Sequence, residues 1–595
     1  MKTKRFLSVG LCLVIVMLAF QPINVIAQKY FSDPQFKVKL DFNRWHDVNE
    51  LFADMARLEK AFPKFLKLAS MGKSYEGRDL MVMTINNPET GPEMSKAAMY
   101  VDANIHGNEI QGGEVCLYTI WYLMENYGRI EEVTRLVNER VFYIVPCVNP
   151  DGRQWFMETD GGNARAGHLP VDDDNDGLID EDGPDDMNGN GIIEQIRKYV
   201  PGQGNYRISA TDKRVMEPVP FGEKGDYVLL GEEGIDNDGD GRVNEDDKGG
   251  YDPNRNWAVD WQPNYVQGGA MDFPFQLPEA KAENEFLMAH PNIAGVQAYH
   301  NSGGMILRGP GAEALGEYSG SDVRAYDEIG NNGQRILPFY KYMVIWSGLY
   351  TVHGGFIDWT NDGLGIMSFS NELWNSSQYF SSPDLLKERE DPNSPISGRK
   401  SSNFFDDKLE FGDEYVDWKP FDHPQYGKVE MGGEWKKFMG RVPPRFMNEE
   451  LCHRNMAFSL YQADEMPKME IGETNVKKIG DNVYRVWIDF TNKKVAPTIT
   501  AKAATNNVVR PDLITFDGKQ DIISASWISN KETFDYLNPI TELIDQKQMK
   551  RLLIRNGHPG KSTRTLQYLV KGTGNITITY DSVKGGKVTK TISVN

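Results

Sequence analysis

The sequence predicts an α/β fold with a mixed, mostly parallel β-sheet flanked by helices, followed by an all-β sandwich. Apolar strand-like runs alternate with amphipathic helical patterns over most of the chain, which is typical of such a sheet. Residues 467–595 instead contain short alternating strands separated by turn residues. The chain has 595 residues, enough for two or three domains.

The α/β region extends from about residue 40 to residue 465. Residues 48–65 and 109–127 have apolar side chains at helical spacing. Residues 98–103 alternate as a strand that then turns, and the continuous apolar run 141–148 is typical of a strand buried on both faces. Further elements follow an interruption: a helix at 278–290, strands at 293–299 and 365–373, and a helix at 448–465. Active sites of such sheets lie at the carboxyl ends of the strands.

The first 27 residues read as a secretory signal, because Lys2, Lys4 and Arg5 precede an apolar run at residues 6–20. The mature chain has no later apolar stretch of membrane-spanning length, so the sequence predicts an exported protein, periplasmic or extracellular. Beyond the signal there are three scattered cysteines, which indicate no disulfide framework: Cys116, Cys147 and Cys452.

The net charge of −20 is concentrated in two loops. Residues 172–194 contain ten carboxylates and no Lys or Arg, and residues 232–247 contain eight carboxylates against Arg242. No basic stripe is present to neutralise phosphates, which argues against a nucleic-acid partner.

These acidic loops lie in a Gly-rich and Asp-rich insertion at about residues 160–250. Oxygen donors stand at alternate positions before a glycine in three copies: Asp172, Asp174 and Asp176; Asp186, Asn188 and Asn190; Asp236, Asp238 and Asp240. This pattern predicts calcium loops with a structural role. Their twelfth positions are Gly183, Arg197 and Asp247, never glutamate, so helix-loop-helix hands are not expected. A merely solvated acidic loop is the alternative.

A His-x-x-Glu pair, His106 and Glu109, follows one predicted strand, and His300 ends another. Two imidazoles and one carboxylate, with a fourth position for water, are typical of a catalytic zinc site. Hydrolysis with such a metal needs a second carboxylate to take the proton of the water, and Glu372 at the end of an apolar strand is the candidate. The alternatives are a loop histidine beside a helix-starting glutamate and a structural pairing of Glu372 with an arginine.

Several short motifs follow one another in a fixed order: SYEGR (74–78), HGNE (106–109), NPDG (149–152), NRNW (254–257), YH (299–300), YTVHGGFIDW (350–359) and FSNEL (369–373). Together they resemble the zinc carboxypeptidase family typified by pancreatic carboxypeptidases A and B, over about residues 40–465. The resemblance implies one catalytic zinc ion and a peptide or protein substrate with a free carboxy terminus.

The resemblance also implies roles for individual residues. His106, Glu109 and His300 match the zinc ligands, and Glu372 matches the general base that later protonates the leaving amine.

Asn254 and Arg255 match the pair that binds the terminal carboxylate, and Tyr350 matches the mobile tyrosine that closes over it. Ile357 faces the specificity pocket and favours an apolar side chain. The arginine that stabilises the oxyanion lies between NPDG and NRNW in the family. Arg197 is our prediction for it, with Arg207 and Arg214 as rivals.

Two positions depart from the family pattern: Asn108 stands where the pancreatic enzymes have arginine, and Asn301 stands where serine is common. The leading hypothesis is an exported zinc carboxypeptidase. The alternatives are a cell-wall peptide or amide hydrolase that uses the same site, and an inactive binding homologue. In each case the β-sandwich is available to bind a polymer or a protein.

Overall fold

The structure, a computed structural model, describes residues 36–158, 164–172, 177–237, 239, 241–244, 246–375, 387–388, 391, 394, 400–529 and 540–595. Residues 36–40 belong to a separate amino-terminal unit, and the fold below is that of Asp41–Asn595. The predicted signal segment, residues 1–27, lies outside the described residues. Within the described ranges, no helix combines the length and the apolar character needed to cross a bilayer.

The strands are distributed along the whole described chain. In order they are β1 (Leu66–Lys73), β2 (Asp79–Ile85), β3 (Ala98–Ala103), β4 (Val141–Val145), β5 (Gln195–Gly204), β6 (Tyr206–Ile208), β7 (Met216–Pro218), β8 (Gly225–Glu232), β9 (Ile293–Asn301), β10 (Met305–Arg308), β11 (Lys341–Val344), β12 (Met367–Leu373), β13 (Lys419–His423), β14 (Gly427–Gly432), β15 (Met469–Gly480), β16 (Val483–Asn492), β17 (Asp512–Gly518), β18 (Asp521–Ile528), β19 (Ile540–Leu543), β20 (Arg551–Ile554), β21 (Ser562–Lys571), β22 (Gly574–Ser582) and β23 (Gly586–Val594).

The helices lie mostly between the strands of the first region. In order they are α1 (Val48–Ala61), α2 (Gln111–Asn126), α3 (Glu131–Glu139), α4 (Pro150–Glu158), α5 (Pro278–Ala289), α6 (Gly320–Ile336), α7 (Ile345–Gly348), α8 (Phe356–Asp358), α9 (Lys400–Phe405), α10 (Arg445–Glu465) and α11 (Ala501–Asn506).

The main sheet has eight strands in the order β1-β2-β4-β3-β9-β12-β10-β11. The four consecutive strands β4, β3, β9 and β12 are parallel to one another, and β10 and β11 form a further parallel pair. The pairs β1/β2, β2/β4 and β10/β12 are antiparallel. Every residue of β3, β4 and β9 is buried, as expected for central strands covered on both faces. The predicted mixed sheet is therefore confirmed.

Helices cover both faces of this sheet. Along β3, Ala103 faces α2, where Gly112 lies so close that an added Cβ would stand 2.8 Å from the Cβ of Ala103. Tyr100 points to the opposite face and donates a hydrogen bond of 2.7 Å to Glu283 of α5. Side chains of opposite parity in a strand point to opposite faces, so α2 and α5 lie on opposite sides of the sheet.

A second sheet of six strands was not expected from the sequence. Its order is β13-β14-β5-β8-β6-β7, and its pairs are antiparallel. The acidic insertion supplies β5 to β8, and the irregular stretch before α10 supplies β13 and β14. These strands are rich in Gly and in charged residues and are largely half-exposed or exposed, so they lack the apolar alternation that identifies a strand.

The carboxy-terminal region is a β-sandwich, as predicted. One sheet has the order β15-β16-β21-β18-β19 and the other β20-β17-β22-β23, and every neighbouring pair is antiparallel. Ile488 and Leu566 from the first sheet share one apolar core with Ile514 and Ile578 from the second.

Candidate active site

The predicted zinc ligands and Glu372 meet at one edge of the main sheet. His106 and Glu109 follow the end of β3, and His300 is the penultimate residue of β9. Glu372 of β12 is the register partner of His300 across the parallel pair β9/β12. Because neighbouring parallel strands end at the same edge, residues far apart in the sequence are brought to one place.

The loop that carries His106 is held by backbone contacts. Gly107 donates its N–H to the carbonyl of Arg165 at 3.1 Å. An added Cβ at Gly107 would lie 2.4 Å from the carbonyl carbon of Gly152, in the NPDG turn. Only glycine allows the two loops to approach this closely, and the contact also brings Arg165 beside the metal-ligand motif.

The three candidate ligands point their donor atoms at one another. The Nδ1 atoms of His106 and His300 lie 3.0 and 2.9 Å from the two carboxylate oxygens of Glu109 and 3.2 Å from each other. One donor atom from each residue fits within a span of 4.8 Å. The side chains of His106 and Glu109 are each 3% exposed, and that of His300 is 6% exposed. Two imidazole nitrogens and a carboxylate oxygen are a donor set that fits zinc.

Asp252 supports this cluster from behind, a role that the sequence analysis did not assign. Its Oδ1 accepts a hydrogen bond from Nε2 of His106 at 2.9 Å, which leaves Nδ1 of the imidazole free to bind a metal. Burial alone would raise the pKa of Asp252, but His106, Arg255 and Arg165 hold it well below its usual range. Its position two residues before the NRNW motif was the available sequence signal.

Electrostatics separate the two glutamates of the site. Burial alone would raise the pKa of Glu109, but the imidazoles of His106 and His300 hold it well below its usual range. Burial, with the negative charge of Glu109 beside it, raises the pKa of Glu372 to about 7. Glu109 is thus the more acidic of the two carboxyl groups, and Glu372 is the one that holds a proton more readily.

A cleft of about 290 Å³ opens over these residues. Asn254, Arg255, Tyr350, Ile357 and Glu372 all line it, so the structure brings these predicted site residues together. One wall is apolar and consists of Leu307, Ile345, Leu349, Val352, Phe356 and Ile357. Tyr350 is half-exposed at the entrance.

Asn254 and Arg255 are oriented by their neighbours. Asn254 accepts a hydrogen bond from the backbone N–H of Phe356 at 2.8 Å, and its Nδ2 lies 3.4 Å from Nε2 of His300. Arg255 donates to the carbonyl of Asn254 at 2.8 Å and lies 3.5 Å from Asp252. An amide and a guanidinium are therefore held side by side in the cleft.

Arg197, the predicted oxyanion arginine, is not brought to the cleft. It lies in β5, where it donates to Glu430 at 2.7 Å and stacks 4.2 Å from the ring of Trp418. The rivals are also elsewhere: Arg207 faces Glu217 and Glu223, and Arg214 pairs with Asp212 and Asp407. Each guanidinium is engaged by carboxylates of its own neighbourhood.

Arg165 lines the cleft in their place. Its Nη2 lies 2.8 Å from Asp252 and its Nη1 lies 3.4 Å from Glu109. Arg165 falls within the interval between NPDG and NRNW where the family places its arginine. The sequence signal was its position shortly after NPDG, ahead of the acidic loops.

The candidate calcium loops are only partly described: Asp174, Asp176, Asp238 and Asp240 lie outside the described residues. In the second loop Asp186 accepts hydrogen bonds from the backbone N–H groups of residues 189, 190 and 191. Asn188 and Asn190 donate to Glu194. Asp172 and Asp236 close their own turns in the same way.

Comparison with known proteins identifies the first region. A family model described as zinc carboxypeptidase, Peptidase_M14, matches residues 51–173 and 227–390. These segments belong to the zinc carboxypeptidase family. The acidic insertion falls largely in the gap between the two matched parts of the carboxypeptidase domain. Residues 468–593 match a domain of unknown function, DUF8731.

Curated relatives resemble parts of this carboxypeptidase domain. Carboxypeptidase D of Drosophila melanogaster is 33% identical over 152 residues, covering 24% of this chain and 11% of that protein. Human carboxypeptidase D is 36% identical over 121 residues, covering 20% and 9%. The inactive metallocarboxypeptidase ECM14 of Saccharomyces cerevisiae is 29% identical over 135 residues, covering 22% and 31%. The matches thus span about a tenth to a third of these relatives.

Solved structures resemble the chain more distantly. Carboxypeptidase A from Helicoverpa armigera has a TM-score of 0.38 and 19% identity, covering 63% of this chain and 77% of its own. Bovine thrombin-activatable fibrinolysis inhibitor, solved with tick carboxypeptidase inhibitor, has a TM-score of 0.39 and 16% identity, covering 71% and 97%.

Proposed function

We propose that the protein is a zinc-dependent metallocarboxypeptidase that hydrolyses the carboxy-terminal peptide bond of peptides or proteins. One observation carries this proposal. A single cleft contains a three-residue zinc ligand set, a protonatable glutamate, and an amide–guanidinium pair beside an apolar wall. The ligand set and the glutamate make a hydrolytic site. The amide–guanidinium pair and the apolar wall recognise a terminal residue.

His106, Glu109 and His300 hold the metal in this proposal, and Asp252 keeps the imidazole of His106 in the binding tautomer. A bound zinc ion supplies a Lewis acid and lowers the pKa of a water molecule. Glu372 accepts a proton from the attacking water and then delivers it to the leaving amine. Its pKa near neutrality suits both transfers.

Arg165 replaces Arg197 as the residue that stabilises the oxyanion. It is the cleft arginine that touches both Glu109 and Asp252, so its guanidinium lies next to the metal ligands. Its charge is in place before the reaction begins, which is what makes such a donor effective.

Asn254, Arg255 and Tyr350 bind the terminal carboxylate of the substrate, since a guanidinium binds a carboxylate through two parallel hydrogen bonds. The side chain of the terminal residue enters the space beside Leu307, Ile345 and the other apolar residues of the wall. We therefore expect apolar carboxy-terminal residues to be preferred over charged ones.

Matched peptides with a free and an amidated carboxy terminus test whether the protein is an exopeptidase. Zinc-loaded protein should cleave acetyl-Gly-Phe and leave acetyl-Gly-Phe-amide nearly untouched, because the amide removes the partner of Arg255. Equal turnover would favour the alternative of a cell-wall peptide or amide hydrolase. Absence of turnover with zinc bound would favour an inactive homologue.

The acidic insertion holds calcium in this proposal. Glu233 is fully buried and Glu194 nearly so, and burial raises the pKa of Glu233 to about 7. Asp246 is 1% exposed, and its Oδ1 has no hydrogen-bond partner among the described residues. The unpartnered oxygen of Asp246 suits a hard cation, whereas both oxygens of Glu233 and of Glu194 already accept hydrogen bonds. Calcium at 100 times its Kd should stabilise the fold by about 2.7 kcal/mol; an unchanged Tm would contradict the proposal.

Residues 1–27 act as an export signal in this proposal and are removed. Amino-terminal sequencing of protein recovered from the periplasm or the medium should begin close after Ala27. Recovery of chains that still begin at Met1 would contradict it.

A further inference from the structure

Arg441 brings a third guanidinium into the cleft, beside those of Arg165 and Arg255. It precedes α10 and lies beyond residues 51–173 and 227–390, the part of the chain that matches the zinc carboxypeptidase model. The proposed reaction uses Arg255 for the terminal carboxylate and Arg165 for the oxyanion. Arg441 therefore has no role in it.

Guanidinium and carboxylate groups alternate along a chain of contacts in the cleft, and Arg441 is its last member. Arg255 lies 3.5 Å from Asp252, and Arg165 contacts both Asp252 at 2.8 Å and Glu109 at 3.4 Å. Arg441 contacts Glu109 at 3.4 Å and no other carboxylate of the described residues. Arg255 and Arg441 are thus the first and last members of this chain of contacts.

This order places Arg441 relative to a substrate. Arg255 binds the terminal carboxylate of the leaving residue, and Arg165 lies at the scissile carbonyl. The next guanidinium along this chain of contacts faces the part of the peptide that precedes the scissile bond. Arg441 therefore lies on the acyl side of the cleft.

Asn301 holds Arg441 in this position. The carbonyl of Asn301 accepts a hydrogen bond from Nη1 of Arg441 at 3.1 Å, and Nδ2 of Asn301 donates to the carbonyl of Arg441 at 3.1 Å. Asn301 also donates to Gln111 at 2.9 Å. The asparagine that replaces the common serine after His300 thus anchors a guanidinium beside the site, while position 108 carries asparagine in place of arginine.

The guanidinium keeps donors available. Both of its side-chain contacts use Nη1, and its Nε and Nη2 make no hydrogen bond or ion pair with any described residue. The side chain is 40% exposed, against 28% for Arg165 and 9% for Arg255. Nε and Nη2 form the edge of a guanidinium that binds a carboxylate through two hydrogen bonds.

We propose that Arg441 forms a subsite for a carboxylate on the acyl side of the scissile bond. The enzyme then prefers peptides with Asp or Glu immediately before the carboxy-terminal residue. This inference rests on the proposed carboxypeptidase function and adds to it the chemistry of the neighbouring substrate position.

The test compares zinc-loaded full-length protein on acetyl-Gly-Glu-Phe and acetyl-Gly-Gln-Phe, which differ by one charge. The wild type should show a kcat/KM about two- to fivefold higher for the Glu peptide, because its carboxylate pairs with a partly exposed guanidinium. Arg441→Met should bring the ratio of the two kcat/KM values close to one, whatever its effect on the Gln value. Arg441→Lys should retain part of the preference.

Arg445→Met is the matched control, because it removes the same charge from an exposed position at the start of α10, outside the cleft. It should keep the full preference. A wild type that treats both peptides alike would overturn the proposal. So would an Arg441→Met variant that loses both activities equally, which would indicate binding of a backbone carbonyl.

A binding measurement separates failure of this inference from failure of the proposed function. If the wild type cleaves neither peptide, the carboxypeptidase proposal fails, and calorimetric titration with the same two peptides still tests the subsite. Tighter binding of the Glu peptide that disappears in Arg441→Met supports the subsite. Equal affinities overturn it.

Discussion

The cleft and the joint between the α/β region and the β-sandwich are both built from buried charged groups, but they use them differently. At the joint, the carboxylate of Asp322 accepts the backbone N–H groups of Ala501 and Lys502 at 2.9 and 3.0 Å. Lys502 pairs with Asp362 at 2.9 Å, and Lys584 donates to the carbonyls of residues 364 and 365. Most of these polar groups are matched across the joint, although Oδ1 of Asp362 has no hydrogen-bond partner among the described residues.

In the cleft the charged side chains face one another, and some hydrogen-bond donors have no partner among the described residues. Both Nδ1 atoms of His106 and His300 point at Glu109, and Arg441 keeps free donors. The difference teaches that the cleft directs charged side chains at one another around a metal donor set, whereas the joint directs them mainly at backbone groups.

The largest effect should come from Glu372→Gln, which removes the proton acceptor of the cleft. We expect kcat to fall by about 10²–10⁴-fold, the range for losing general acid–base catalysis. Zinc content and peptide affinity should persist, because Glu372 is not one of the three ligands. Steady-state kinetics with metal analysis measures this, and a variant as active as wild type would remove Glu372 from the mechanism.

Arg165→Met and Arg197→Met form the next comparison, one arginine in the cleft and one in the second sheet. Arg165→Met should lower kcat by about 10²–10³-fold, as for loss of an oxyanion donor. Arg197→Met should keep full activity, since its guanidinium is engaged by Glu430 and Trp418. The reverse result would restore the sequence-based choice of Arg197.

At the joint, Asp322→Ala should lower stability without changing kcat/KM. The substitution leaves two backbone N–H groups without their acceptor. Each unsatisfied group lowers the free energy of unfolding by up to about 3 kcal/mol. Urea denaturation measures the free energy of unfolding. Asp481→Ala, in an exposed turn before β16, is the control and should stay within about 0.5 kcal/mol of wild type. An unchanged stability for Asp322→Ala would contradict the role of the joint.

The smallest effect is a change in the pH dependence of stability. Burial lowers the pKa of Lys584 from 10.5 to about 7. Between these values the unfolded chain binds a proton that the folded chain does not, so Lys584 makes the free energy of unfolding fall as pH falls from 10.5 towards 7. Lys584→Met should remove this slope.

Denaturation of both proteins at pH 7.5 and 10 tests the slope. The methionine also loses the hydrogen bonds to residues 364 and 365, which lowers stability at both pH values. The difference between the two pH values, rather than either value alone, is therefore the readout. An identical pH difference in both proteins would mean that Lys584 titrates normally in the fold.

Much of the fold followed from sequence pattern. The central strands β3, β9 and β12 are apolar runs, and the β-sandwich strands alternate, so both were predicted from periodicity. The second sheet was missed, because its strands are largely half-exposed or exposed and gain their partners from two distant stretches. Pairing between such segments depends on contacts that no local pattern records.

The sequence by itself determined which residue types could form the hydrolytic centre: His106, Glu109, His300 and Glu372 stand at strand ends, and parallel strands align those ends. Only the tertiary structure decided which arginines join them. A guanidinium sits on a long side chain and is carried by loops, so its final place depends on how the loops pack. Arg165 is fixed by its backbone contact with Gly107, and Arg441 by Asn301, whereas Arg197 is drawn away into a different sheet.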